Sequence, residues 1–455
     1  MKRILLFLSL LIVLSFTFNA GHAQLNFSAR VVKDSLFIPW EIIYGPDDHI
    51  WFTQKNGYVC RLEPISGQLD TIYHESQLVI NNEGGMLGMA LHPDFANEPY
   101  VFIAYEYESG GDYLERIVKF TYNSGTLINP QILLDNITGA SIHNGCRLAI
   151  NGDKLFITTG DAANTALAQN VNTVNGKILR INLDGSIPAD NPIAGNPVWS
   201  WGHRNAQGLV FHNGILYSSE HGPNNDDEIN IILKGRNYGW PNVQGFCNTP
   251  SEMQYCTDSN VVEPLQAWTP TLAVSGMDYY NHPMFPELAN SLLMTTLKDN
   301  NLYQLSLNTA GDSILNEVNI SGVDYGRLRD IAISPDGRIF LSTSNSNAGG
   351  TGPPIDKIIE LYDSTITSIY TLSPDNSTVL VYPNPAIDMM NIAFLLDDMN
   401  KDTWTYTVTN LNGQMVQEGQ LEFNKLHVGA LYPGIYFLRM WNSKEEMIFK
   451  RFVKW

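Results

Sequence analysis

Three loop segments concentrate side chains for which stability alone has little use. The first, EHGPNNDDEIN, runs from Glu220 to Asn230 and sets three successive acids, Asp226, Asp227 and Glu228, behind a Gly222-Pro223 turn. Carboxylates and backbone carbonyls are the hard oxygen donors that Ca²⁺ takes, about six to eight at a time. A solvated acidic loop has the same composition. The second segment is His143-Asn144-Gly145-Cys146-Arg147-Leu148, and the third is Trp201-Gly202-His203-Arg204-Asn205-Ala206-Gln207-Gly208. A loop histidine is either a general base near neutral pH or a hydrogen-bonded structural residue. Cations recur at Lys298, Arg327 and Arg329, in LKDNNLY and GRLRDIAISPDG. The chain has 27 Lys+Arg against 46 Asp+Glu, a net charge of −19. Within so acidic a body, cations at the same relative place in several repeats point to a small anionic ligand, because Arg forks match carboxylates with paired bonds. Their alternative role is pairing with surface acids, where each contact contributes little. The same charge excludes nucleic acid as a partner, which needs a concentrated basic surface.

These segments are far apart in sequence, so the fold must bring them together. A hydrophobic share of 44% against 16% charged residues is enough for a large core. From residue 24 to about 365 one unit recurs: a turn, a strand of aromatic and β-branched residues, a polar break, and a second strand. Its instances begin near Pro46, His92, Asn151, His212, Phe285 and Ser334. Six units at intervals of roughly 45 to 75 residues match a radial array of four-stranded blades, an all-β six-bladed β-propeller. Helical periods between the strands, which a parallel α/β fold requires, are absent. Propellers place their chemistry at one end of the central channel, on loops from several blades.

Collinear motifs from about residue 30 to 362 resemble the soluble quinoprotein glucose/sorbosone dehydrogenase family. They include LFIPWEIIYGPDDHIWFTQKNG (36–57), EGGMLGMALHPDF (83–95), TTGDAAN (158–164), WSWGHRNAQGL, EHGPNNDDEIN, GRNYGWPNV (235–243) and WTPTLAVSGMDYY (268–280). The resemblance implies a propeller that binds pyrroloquinoline quinone (PQQ) and Ca²⁺. It makes His143 the general base, Asp161 the acid that orients it, and Arg204 and Asn205 the contacts to the quinone carbonyls. Lys298, Arg327 and Arg329 become the clamp on the cofactor's carboxylates. It assigns the carbonyls of Gly222 and Pro223 to the catalytic Ca²⁺, Asp227, Glu228 and Tyr238 to a second, structural calcium, and Trp268 to the wall of the substrate pocket. Glu83 departs from the glucose-oxidising members, which carry Gln there, and sets a negative charge beside the sugar. Asn144-Gly145 departs as well. The implied reaction is oxidation of an aldose at C1 to its lactone, with electrons passed to an external or periplasmic acceptor. A non-catalytic carbohydrate-binding propeller and a calcium-dependent lactonase are the alternatives; the lactonase would need side-chain carboxylates at the channel and no cationic clamp.

The chain ends carry addresses. Residues 1–23 combine Lys2 and Arg3 with an apolar run from Ile4 to Phe16 and small residues ending at Ala23, the pattern of a cleaved secretory signal. No later stretch is apolar for the ~18 to 20 residues that a membrane helix needs. Export implies an oxidising compartment. Cys247 and Cys256 bracket a short polar loop and are expected to pair, while for Cys60 and Cys146 a bridge and two buried thiols both remain open. Residues 365–378, rich in Ser and Thr, read as a linker, which closes a propeller domain of residues 24–364. Residues 379–455 read as a small β-sandwich with turns at Asn412-Gly413 and Pro433-Gly434. Tyr382-Pro383-Asn384-Pro385, the strand LYPGIYFL and the basic tail from Lys450 to Lys454 resemble the C-terminal sorting domain of type IX secretion substrates. That resemblance implies passage across the outer membrane, with the type IX machinery as partner and a secreted or surface-attached product.

Overall fold

The computed structural model describes residues 25–346, 353–363, 379–382, 386–394, 403–410, 414–421, 424–442 and 447–454. The expected signal (1–23), the linker (365–378) and the Asn412-Gly413 turn lie outside them. The chain divides into two compact units, up to Tyr362 and from Asp363 onward.

The first unit consists of six four-stranded antiparallel sheets, the blades of a propeller. Their innermost strands, in order from blade 1 to blade 6, are Pro39–Tyr44, Met86–Leu91, Gly145–Asn151, Ala206–His212, Val274–Tyr280 and Leu328–Ile333. Each packs against the next around a closed ring. Blades are covered on both faces, so their central strands read as unbroken apolar runs rather than alternating ones. Ser291–Thr296, for example, is buried at every position. Between blades the side chains interlock: Ile42 and Phe52 of blade 1 pack with Leu36, Phe340 and Ile358 of blade 6. The amino-terminal strand Ser28–Leu36 supplies the outer strand of blade 6, pairing Ser28 with Tyr362 and Leu36 with Asp356. This closes the ring with strands from both ends of the domain.

All six innermost strands carry a register irregularity near their start, as between Gly145 and Leu148 or between Val274 and Met277. Bulges of this kind re-aim side chains and are frequent beside functional sites. Left-handed residues precede three of these strands: Ile38 (φ 44°), His143 (φ 63°) and Ala273 (φ 56°). In an antiparallel pair the start of the first strand lies beside the end of the second, so these irregularities gather at one end of the channel.

The segment between Cys247 and Cys256 differs from the polar loop expected of it. It contains the helix Pro250–Ser259, started by a reciprocal pair in which Thr249 takes the Glu252 N–H and Glu252 takes the Thr249 N–H. Cys247 and Cys256 form a disulfide with Cα atoms 6.5 Å apart. Cys60 and Cys146 are buried free thiols.

In the second unit, Thr405–Asn410 pairs with Met415–Gln420 and with Gly434–Trp441, which in turn pairs with Met447–Lys454. A three-stranded sheet of Val379–Tyr382, Met389–Phe394 and Lys425–His427 shares its core, where Met390, Ile392, Trp404, Val408, Leu438 and Phe452 meet. This is the expected sandwich. Among the described residues no helix is long and apolar enough to cross a membrane.

Candidate active site

A cavity of about 490 Å³ opens at the irregular end of the channel. The residues just before or at the start of the innermost strands reach it: Ile38, Asn144, Gly145, Asn205, Ala273 and Arg327. The ends of the second strands contribute Lys55, His221, Leu297 and Ser344. Its lining charges are Lys55, Arg327 and Arg329 against Glu83, so the local field is positive in an acidic protein.

His143 stands beside this wall. Its Nδ1 lies 2.7 Å from Asp161 Oδ1, and Asp161 is fully buried. The second oxygen of Asp161 accepts the Trp240 indole N–H at 2.9 Å. A carboxylate can only accept, so Nδ1 carries the hydrogen of this bond, and in the neutral tautomer that this selects the lone pair is on Nε2. That is the geometry of an oriented base. The turn that brings the two residues together requires Gly160, because a Cβ there would fall 1.7 Å from the His143 carbonyl oxygen. Glu83 Oε2 accepts the backbone N–H of His143 at 2.8 Å.

Two guanidiniums, Arg329 in the cavity lining and Arg204 in the loop next to it, have an unmet donor. Arg329 gives one N–H to Gln207 Oε1 at 2.9 Å, while its Nε is buried without a partner. Burial together with Arg327 and Arg147 lowers the Arg329 guanidinium to about 9. Arg204 donates to the His221 carbonyl at 3.2 Å, packs 5.4 Å from the Trp240 ring centroid, and also leaves Nε buried and unpaired. His221, whose Nε2 has no partner, is pushed down to about 3, first by burial and then by Arg329 and Arg204. Asn205 accepts from Gly145 N and from Gln207 Nε2, each at 3.1 Å. Lys55 is 2% exposed and donates to the Asn82 carbonyl; burial and Arg329 lower its ammonium to about 7. Buried donors without partners are costly. Two of them, in and next to one cavity, form a site that an anion would complete. Lys55 and His221 fall inside segments noted in the sequence but carry no assigned role there; each stands just past the end of a second strand.

Three expectations change. Lys298 is exposed, bonded through Nζ to Thr271 Oγ1 at 2.9 Å, and does not line the cavity. Trp268 is 8% exposed, with its indole N–H on Glu317 at 3.0 Å and its ring in the packing of blades 4 and 5, so it forms no wall of the cavity. The set proposed for a second calcium does not fit one. Asp227 Oδ1 accepts Gly222 N, and Oδ2 accepts the N–H groups of Leu272 and Ala273 at 2.7 and 2.6 Å. Glu228 accepts Gly245 N at 2.8 Å and Asn230 Nδ2 at 2.9 Å, and burial raises its carboxyl. Tyr238 donates to the Ile231 carbonyl and accepts from Leu233 N. Consecutive residues on a strand face opposite ways, and every one of these side-chain oxygens is already engaged. Among the described residues no group of three or more His, Cys, Asp or Glu is placed to hold a metal ion. The Gly222 and Pro223 carbonyls are different, since no described donor bonds to either. A Cβ on Gly222 would lie 1.9 Å from the Asn225 carbonyl oxygen, so that tight loop needs glycine.

A six-bladed propeller with an oriented histidine next to a cation-lined cavity is an arrangement suited to an anionic ligand and proton transfer, and its similarity to known proteins places it among sugar dehydrogenases. Residues 36–351 match the glucose/sorbosone dehydrogenase family model, and the chain belongs to that family. Quinoprotein glucose dehydrogenase B of Acinetobacter calcoaceticus is 39% identical over 256 residues, 49% of this chain and 54% of that protein. Aldose sugar dehydrogenase YliI of Escherichia coli is 31% identical over 384 residues, 76% of this chain and 97% of that protein. The PQQ-bound aldose sugar dehydrogenase of Streptomyces coelicolor has a similar structure, with a TM-score of 0.62 at 30% identity over 74% of this chain and 98% of its own. Residues 380–454 match the secretion system C-terminal sorting domain.

Proposed function

We propose that the propeller is a PQQ- and Ca²⁺-dependent aldose dehydrogenase that oxidises the sugar at C1 to its lactone. The observation that carries this reading is the His143–Asp161 pair in the loops next to a cavity lined by Lys55, Arg327 and Arg329, the last with an enclosed Nε that lacks a partner. When bound, the quinone accepts the two electrons that leave sugar C1 as hydride, and the ion acts as a Lewis acid on a quinone carbonyl. Arg327 and Arg329 would hold the cofactor's carboxylates, with Lys55 adding a third cation from blade 1. Arg204 and Asn205 would face its carbonyls, and the Gly222 and Pro223 carbonyls would supply the hard donors for the ion. His143 Nε2 takes the proton from the C1 hydroxyl, and Asp161 holds the ring in the required tautomer and stabilises the imidazolium that results. Arg147 lies 2.7 Å from Glu41 and 2.9 Å from Asp330, a buried ion group that ties the innermost strands of blades 1, 3 and 6 together.

Export by the type IX route belongs to the same reading, supported by the match of the C-terminal unit; the amino-terminal signal would take the chain to the periplasm first. Purified apo-protein mixed with Ca²⁺ and PQQ should bind the quinone and reduce a dye with aldoses. Binding of sugars without dye reduction would favour the non-catalytic propeller, and lactone hydrolysis without quinone binding would favour the lactonase.

A further inference from the structure

Glu83 lines the cavity, and its hydrogen bonds also hold the loop that carries His143. Its side-chain Oε2 accepts the backbone N–H of His143 at 2.8 Å, and its own backbone N–H donates to the Ser141 carbonyl at 3.0 Å. One residue thus grips the loop before blade 3 at two points, two residues apart. That loop needs holding. His143 has φ 63°, followed by Gly145 at 64° and Cys146 at 65°. Left-handed backbone is strained in non-glycine residues and persists where the surroundings determine it.

The gripping segment is itself fixed. Lys55 Nζ donates to the Asn82 carbonyl, and Gly84 N donates to the Asn81 carbonyl at 2.9 Å. On the far side of the loop, Asn144 takes the Ala140 N–H at 3.0 Å and donates to Glu106 Oε2 at 3.0 Å. The same device recurs where no substrate contact is invoked. Asp356 takes the N–H of left-handed Ile38 at 2.9 Å, and Asp227 takes that of left-handed Ala273.

We propose that Glu83 is a positioning residue for the base: its carboxylate holds the His143 backbone in the left-handed conformation that aims the ring between Asp161 and the cavity. The proposal rests on His143 acting as the base, as inferred above. What the position requires is a hydrogen-bond acceptor, so Glu83→Gln should preserve the function and Glu83→Ala should abolish it.

The test has two arms. In apo-protein, hydrogen exchange of the His143 amide should accelerate about tenfold or more in Glu83→Ala and stay within about threefold of wild type in Glu83→Gln. With Ca²⁺ and PQQ, Glu83→Ala should lose about tenfold or more in kcat with KM for aldoses and quinone affinity little changed, while Glu83→Gln keeps at least about a third of kcat. Unchanged exchange in Glu83→Ala overturns the proposal. So does a KM change without a kcat change in both variants, which marks a substrate contact, or equal loss of kcat in both, which marks a need for charge. If Glu83→Ala does not fold, Glu83→Ser takes its place on the same criteria. A wild-type protein that neither binds quinone nor turns over defeats the proposed function, while the exchange arm still decides the hydrogen bond.

Discussion

The cavity wall formed by blades 6 and 1 and the acidic loop of blade 4 treat charge in opposite ways. On the wall, Arg329 is half-buried with its Nε enclosed and unpaired, and Lys55 is held below its ordinary range by burial. In the loop, Asp227 is fully buried but takes N–H bonds from Gly222, Leu272 and Ala273. Both regions look like ligand sites by composition. The carboxylate oxygens of Asp227 and Glu228 are all engaged, whereas the Arg329 Nε is enclosed with no partner, and an unmet enclosed donor, not the presence of charge, is what points to a binding surface. The place of Asp227 in its blade explains the rest. It opens the third strand of blade 4, as Asp356 opens the third strand of blade 6, and both tie down the loop leading into the next blade.

The contrast can be broken in order of size. His143→Ala should lower turnover by roughly 10² or more while quinone affinity stays within a few-fold, measured by dye reduction and by cofactor titration. Arg329→Ala should weaken quinone binding by roughly 10- to 150-fold, the equivalent of one lost charge-assisted contact, with turnover at saturating cofactor retained. Asp227→Asn should lower unfolding free energy by about 1 to 3 kcal/mol in denaturant titration, from loss of a buried multi-bond acceptor. If wild-type stability instead depends on Ca²⁺ and the variant loses that dependence, the anchor reading of Asp227 is wrong. Because the Lys55 ammonium is lowered to about 7, it is charged below that pH and neutral above. Quinone affinity of the apo-protein should therefore fall a few-fold as pH rises through 7, and Lys55→Arg should flatten that profile. The smallest effect belongs to Lys298→Ala: with the ammonium on Thr271 and outside the cavity, affinity should change by less than about threefold.

The blades were legible because each strand pair carries its own apolar run and turn, so six repeats are visible without any long-range information. The pairing of Cys247 with Cys256 was legible from separation, although the helix between them was hidden in a polar stretch and depends on the Thr249 and Glu252 caps. His143 and Asp161 were found through a resemblance, and the 2.7 Å contact between them agrees. Lys55 was not found, since a lone lysine at the end of a strand is unremarkable until its burial is known. Nor could sequence show that the Trp268 indole turns toward Glu317 rather than the channel, because the partner lies 49 positions away in blade 5. Side-chain direction on outer strands is decided by neighbouring blades.

The outer strand of blade 6 is the amino-terminal Ser28–Leu36, and Arg30 reaches Glu360 across 330 positions of chain. A chain delivered from its amino end therefore presents first the strand that can pair last. Until Asp356–Tyr362 arrives, that segment is an uncovered edge, open to pairing with other chains. The ring therefore cannot close until the chain is present through Tyr362. Deleting Ser28–Leu36 should leave the five other sheets formed and blade 6 with a bare edge, a species that aggregates before it fails to bind cofactor.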